Sequence, residues 1–169
     1  DDNPSLSQSV KDRYKSLYSG AFYERFIEGK WVTAQGLVYP MFSPERHIKK
    51  CKGKFNRFYL SCDYGTVNPF SLGLWGECDG KWFRLDEYYY SGRDNGIQLT
   101  DEEYYRELEK LAENREITAL IIDPSAASFI QTVLRHGKFR VVKANNDVLT
   151  GINRVCQALK DEEIFIYPV

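Results

Sequence analysis

Cysteine is scarce in this chain. Four occur in 169 residues, at Cys51, Cys62, Cys78 and Cys156, and no two form a CxxC pair. That spacing excludes a zinc knuckle and a dithiol redox motif. Cys62 and Cys78 fall in runs that read as strands. Buried thiols are therefore expected there rather than a bridge, in a reducing, cytosolic setting. Long apolar runs are also missing: none approaches the roughly 20 residues that span a bilayer, and no membrane partner is expected. No secretory signal opens the chain at Asp1. No GxxxxGKS or GxxxxGKT occurs, which excludes a P-loop motor within these residues. Internal repeats and low-complexity blocks are absent as well.

What is present is a chain of globular composition. Apolar residues make up 43%, enough to build a core in one domain of this length. The net charge of −1 hides an asymmetry. Residues 1–57 carry 11 Lys/Arg against 6 Asp/Glu, and residues 58–169 carry 12 against 18. The densest basic strip runs from Arg46 to Arg57 (RHIKKCKGKFNR), with six Lys/Arg and no acid. Such a strip fits a phosphate backbone or a solvated connector equally well on charge alone.

Residues 1–57 read as a connector and extended lead-in, with a short helix from Val10 to Tyr18, helical turns over Ala21–Glu28, and extended chain from Lys30 to Phe42. Residues 58–169 read as the core. Strands are expected over Arg57–Tyr64, Phe70–Cys78 and Lys81–Tyr90, with Asp79-Gly80 as a hairpin turn. Ser91–Gly96 reads as a loop. Thr100 with Glu103 makes a capping box for a helix striped by Tyr104, Leu108 and Leu111. Thr118–Ile122 has the unbroken apolar pattern of a covered parallel strand. A helix over Ser125–His136 is expected to turn Phe129, Ile130, Val133 and Leu134 inward. Phe139–Lys143 follows as a strand, then a helix capped by Asn146 or Asp147, and Ile164–Tyr167 as a last strand. The order predicts an α/β fold: a mixed sheet of three antiparallel strands and then parallel strands, flanked by helices.

Two strands end in the same way. FYLSCDYGTVNPFSLGLW (58–75) places Asp63 at a strand end, and ALIIDP (119–124) does the same for Asp123. Open α/β sheets keep their sites at carboxyl ends of strands. Hard divalent cations such as Mg²⁺ take oxygen ligands, often one or two carboxylates plus phosphates. Asp63 and Asp123 are thus the lead catalytic and metal-binding candidates. The structural alternative makes each a turn or cap residue, with Asp123-Pro124-Ser125 as a helix N-cap.

Four segments carry a family resemblance: YERFIEGKWVTAQGLVYPMF (23–42), YLSCDYGTVNPFSLGLWG, LIIDPSAASFI, and NNDVLTGINRV with IFIYP. In this order and spacing the chain resembles the C-terminal nuclease domain of the large terminase subunit of tailed bacteriophages. The resemblance implies an RNase H-like fold and a metal-dependent endodeoxyribonuclease. Such an enzyme would cut concatemeric double-stranded DNA with two Mg²⁺ or Mn²⁺ ions. Asp63 and Asp123 match the first two metal-binding aspartates of that family. Implied partners are double-stranded DNA, a terminase ATPase domain, the portal and the small terminase subunit, in the host cytoplasm during virion assembly. The family's third acid, on a helix after the last strand, has no match before Val169. A polypeptide ending there is expected to bind metal weakly and cut little.

Other residues carry weaker signals. Asp147 reads as a helix cap. Alternation sends Asp86 and Glu87 to opposite faces of their strand. His136 suits a helix C-terminus, and His47 sits in the basic strip, each without a catalytic partner. Ser125 and Ser128 complete no Ser-His-Asp arrangement. Arg140, Lys143 and Arg154 are candidate phosphate contacts on the metal side. Tyr88, Tyr89, Tyr90 and Trp82 suit sheet packing. Two rival functions remain. Asp63-Tyr64-Gly65-Thr66 fits the D-x-G-T phosphate turn of the actin and sugar-kinase superfamily, although no second copy occurs. A non-catalytic DNA- or portal-binding module would use the basic strip.

Overall fold

The computed structural model describes residues 37–65 and 68–168. The elements expected before Leu37 lie outside the described residues. In chain order the elements are α1 (Pro44–His47), β1 (Arg57–Asp63), β2 (Phe70–Cys78), β3 (Lys81–Tyr90), α2 (Gly92–Asn95), α3 (Asp101–Ala112), β4 (Ile117–Ile122), α4 (Ala127–His136), β5 (Val141–Lys143), α5 (Val148–Lys160) and β6 (Ile164–Ile166). They fall into two compact units. Among the described residues, those within 48–146 together with 164–168 form the sheet unit, and 37–47 together with 147–163 form the other.

The sheet unit holds six strands in the order β5-β4-β1-β2-β3-β6. β2 runs antiparallel to β1 and β3, while β4, β5 and β6 pair in parallel. Five strands therefore point one way, and β2 alone is reversed. The hairpin between β2 and β3 closes on Asp79 and Gly80, with φ of 52° and 74°. Two successive positive φ values match the right-handed strand twist, which is why Asp-Gly is favoured there.

One face of the sheet is the core face. Leu60 and Cys62 of β1, Phe70, Leu72 and Leu74 of β2, and Leu120 and Ile122 of β4 are buried in one cluster. α3 and α4 add Tyr104, Tyr105, Leu108, Phe129, Ile130 and Val133 to it. Helical spacing puts these residues on a single stripe, and the capping box at Thr100 and Glu103 starts α3. Tyr104 stacks on Phe70 with ring centroids 3.9 Å apart. Truncating a buried leucine such as Leu108 would cost about 2–5 kcal/mol.

Several expectations change. Cys78 is not a free thiol: it is joined to Cys51 by a disulfide, because the Ile48–Arg57 segment runs back past the end of β2. Leu134 is 52% exposed, and Thr132 takes the inward position instead. α4 begins at Ala127, with Ala126 as a cap that makes no side-chain bond. Residues 91–96 contain a helical turn, capped by Ser91. Phe139 is a buried loop residue ahead of the three-residue β5. β4 buries one face more fully than the other: Leu120 and Ile122 are buried and Ile121 only half-buried.

In the other unit, Asp147 caps α5 by accepting from Thr150 N at 3.1 Å. His47 is fully buried there. Its Nε2–H donates to Leu159 O (2.9 Å), and its Nδ1 accepts from Ser43 N–H (3.0 Å). That bonding holds the ring in a structural role.

Candidate active site

β1 and β4 are parallel neighbours, with Ser61 opposite Ile121 and Cys62 opposite Ile122. The next residue on each strand is an acid, Asp63 after Cys62 and Asp123 after Ile122. Neighbouring strands lie about 4.8 Å apart, so the two carboxylates leave adjacent strand ends. Asp63 lies off the helix-covered face. Tyr64 stacks on Phe129 and meets Tyr104 edge-on, which places it on the helix-covered face. Alternation along β1 then turns Asp63 to the other face, with Ser61. β5 is parallel to β4, with Lys143 opposite Ile122. The loop after β5 therefore leaves from the same edge, and Asn146 Nδ2 donates to Asp123 Oδ2 at 2.9 Å.

Asp123 also accepts from Ser125 N at 2.7 Å. Its role is an Asx-type turn into Pro124-Ser125, while Ala126 caps the helix. These bonds from Ser125 and Asn146 hold the Asp123 carboxyl below the usual carboxylate range, because donors aimed at the oxygens favour the charged form. The side chain is ionised and oriented at neutral pH. Asp63 is exposed and Asp123 half-buried, so both oxygen pairs are open to solvent. This donor set, carboxylate oxygens, suits a hard cation and not a soft one. Among the described residues, no third acid, histidine or cysteine gathers with the pair.

The same face carries a group that sequence reasoning missed. Trp75 pairs with Arg84, and Gly73 with both Ser61 and Glu87. Arg84 lies with its guanidinium 5.1 Å from the Trp75 ring centre. Trp75 Nε1 donates to Ser61 Oγ at 3.0 Å. A Cβ at Gly73 would collide with the Arg84 guanidinium and Ser61 Oγ, so the glycine makes the slot in which the arginine lies. Arg84 Nη2 donates to Leu72 O (3.2 Å) and Glu87 Oε2 (3.1 Å), and Nε to Asp86 O (3.0 Å). Burial lowers its pKa from the ordinary value, with Glu87 and Asp86 opposing. The available signal was a small or charged residue on each of three strands, Ser61 in β1, Gly73 in β2 and Arg84 in β3, but the pairing that aligns them is tertiary.

The remaining candidates separate. Glu87 is held by Arg84, and Asp86 accepts from Glu87 N at 2.7 Å. His136 stacks on Tyr105 at 3.8 Å and bonds Glu102 at 2.8 Å. Ser128 Oγ lies 3.4 Å from Tyr64 OH, which donates to Asp101 at 2.6 Å. Lys143 ends β5 at the carboxylate edge. Arg140 does not reach that edge, because its carbonyl accepts from Leu120 N at the start of β5. Arg154 belongs to α5, in the other unit. Tyr88 packs on the core, Tyr89 is 61% exposed, and Trp82 meets Tyr59 edge-on. At Gly65, a Cβ would strike the Asn68 and Pro69 carbonyl oxygens. The space that a phosphate turn would offer is filled by the chain's own acceptors.

No protein-family model and no curated protein matches the chain. Solved structures do. The large terminase of a thermophilic bacteriophage, solved with ADP bound, is 45% identical over 98% of this chain, with a TM-score of 0.76. The chain spans 42% of that terminase's length. The nuclease domain of the phage P22 large terminase matches at 11% identity and TM-score 0.58, covering 79% of this chain and 73% of that one. The large terminase nuclease of thermophilic phage G20c, solved with bound cobalt, matches at 8% and 0.52, covering 80% and 76%. The last two likenesses concern the fold, which is the RNase H-like fold of those nuclease domains.

Proposed function

We propose that this chain, which belongs to the bacteriophage large terminases and corresponds to their nuclease domain, is a divalent-metal-dependent endodeoxyribonuclease that cuts concatemeric double-stranded DNA during packaging. The observation that carries the reading is the parallel pairing of β1 and β4, whose last paired residues, Cys62 and Ile122, come directly before Asp63 and Asp123. Asp63 and Asp123 would hold Mg²⁺ or Mn²⁺. When bound, such ions would activate a water and stabilise the departing oxygen of a phosphodiester. The cobalt in the G20c nuclease supports divalent-metal use.

The chain's own residues set the conditions. Asn146 and Ser125 N hold Asp123 in its charged form and fix its rotamer. Arg84 presents Nη1, which makes no hydrogen bond among the described residues, on the face that Asp63 shares. It would meet a phosphate oxygen there, a contact that a guanidinium suits. Trp75 and the Gly73 slot keep it in place.

In the assembled virus-packaging machine this domain would act with a terminase ATPase domain, the portal and the small subunit, in the host cytoplasm. The kinase-like alternative is disfavoured by the filled space at Gly65. A purely DNA- or portal-binding module would need no cation. Anomalous scattering from Mn²⁺-soaked crystals decides between them. A peak shared by Asp63 and Asp123, lost in Asp63→Asn, is expected. Absence of metal from that edge at saturating Mn²⁺ would defeat the nuclease reading.

A further inference from the structure

The end of the sheet away from Asp63 and Asp123 carries a pocket of about 230 Å³ lined by Lys49, Lys50, Lys52 and Lys81, with Phe83 and Phe165. Cys51, Cys78 and Asp79 complete its wall, and Asp79 is the sole acid lining it among the described residues. We propose that this pocket binds a backbone phosphate of duplex DNA, as an anchoring contact separate from the carboxylate edge. The proposal rests on DNA being the substrate.

Three features set these lysines apart from ordinary surface charges. First, they converge. Lys49 and Lys81 approach the same ring, Phe165, at 5.3 and 5.4 Å. Two ammonium groups held against one ring repel each other, and an anion shared by them relieves that repulsion. Second, Lys50, Lys52 and Lys81 form no ion pair among the described residues, whereas Lys110 and Lys138 elsewhere on the surface each hold a glutamate. Third, their backbone is fixed. Cys51, between Lys50 and Lys52, is bonded to Cys78 at the end of β2. Lys49 N donates to Ile166 O at 3.1 Å beside the Ile48–Ile166 bridge. The Asp79-Gly80 turn positions Lys81. A charge cluster held in advance binds with less ordering cost than a flexible tail.

Size and reach fit the ligand. A water claims about 30 Å³ of liquid volume, so the pocket holds a phosphodiester group with some hydration. The seven residues of β1 separate the two ends by about 20 Å at roughly 3.3 Å per residue. That is about six base steps at ~3.4 Å per step along one strand. One duplex can therefore meet both ends. Contacts of this kind position DNA without reading its sequence.

The test is binding of a fluorescent duplex across a salt series. The proteins compared are the wild-type chain, a Lys50→Ala/Lys52→Ala/Lys81→Ala variant, the same three positions changed to Arg, and a Lys110→Ala/Lys138→Ala control. The alanine triple should bind about tenfold more weakly at low salt, with a slope of log K against log salt shallower by about 0.9, the value for one lost phosphate contact. The arginine triple should restore the slope, and the control should leave it unchanged. Mn²⁺ binding by the alanine triple should equal that of the wild type, which separates this site from the carboxylate edge. An unchanged slope in the alanine triple overturns the proposal. So does an equal loss in the control, or absence of duplex binding by the wild type.

Discussion

The two ends of one sheet are chemical opposites. At the carboxyl ends of β1 and β4 stand two acids, open to solvent and braced by an amide and a turn. At the other end, where β2 closes on Asp79-Gly80, four lysines surround a pocket pinned by a disulfide. The strands between them are the same strands. The difference follows from direction: parallel strands deliver their last residues to one edge and their lead-in segments to the other. A polarised sheet can thus present a cation-binding edge and an anion-binding edge a strand's length apart, without either neutralising the other.

The comparison breaks most sharply at the acidic edge. Asp63→Asn or Asp123→Asn should weaken Mn²⁺ binding by on the order of 100-fold or more, since even partners of metal ligands are worth 10–100-fold. Calorimetric titration would show this, with the salt slope of DNA binding unchanged. An equal loss of both properties would mean that the ends are not independent.

Next in size is the bridge. Cys51→Ser opens a cross-link between residues 27 apart, worth about 3–4 kcal/mol in the chain-entropy account. Denaturant unfolding of the oxidised protein should register that loss, and reductant should erase the difference between wild type and variant. A deficit that persists in reductant would point to packing instead.

Gly73→Ala tests the arginine slot beside the acids. Overpacking it should cost about 1–3 kcal/mol. In an Arg84→Ala background the same change should cost clearly less, and an additive double mutant would refute the slot.

The smallest effect belongs to the core between the ends. Burial raises the Tyr104 and Tyr105 hydroxyls to about 12 and pushes the Cys62 thiol up as well. Folded values above the unfolded ones mean that this stability is complete below about 8.5 for the thiol and about 10 for the phenols. It is lost as pH rises toward the folded values. A tyrosinate titration should show late-ionising tyrosines in the native protein. Normal titration of every tyrosine would contradict that burial.

Much of this was legible in the sequence because it is local. The capping box at Thr100, the Asp79-Gly80 turn and the stripe of Tyr104, Leu108 and Leu111 depend on residues within a few positions of each other. Asp63 and Asp123 could be named as strand-end acids for the same reason. Leu134 was misjudged because helical spacing gives a stripe but not its centre. The Cys51–Cys78 bridge and the Arg84 slot were invisible because their members are joined by pairing between strands.

The sequence alone determined the alternation of elements, the two acids that end strands and the basic strip before β1, since each is written in neighbouring residues. Only the tertiary structure decided that β1 and β4 lie side by side in parallel register, that Arg84 lies over Gly73, and that the strip's lysines meet Lys81. Those outcomes depend on which strands pair. Pairing is set by burying the core face as a whole, a property that no short segment carries.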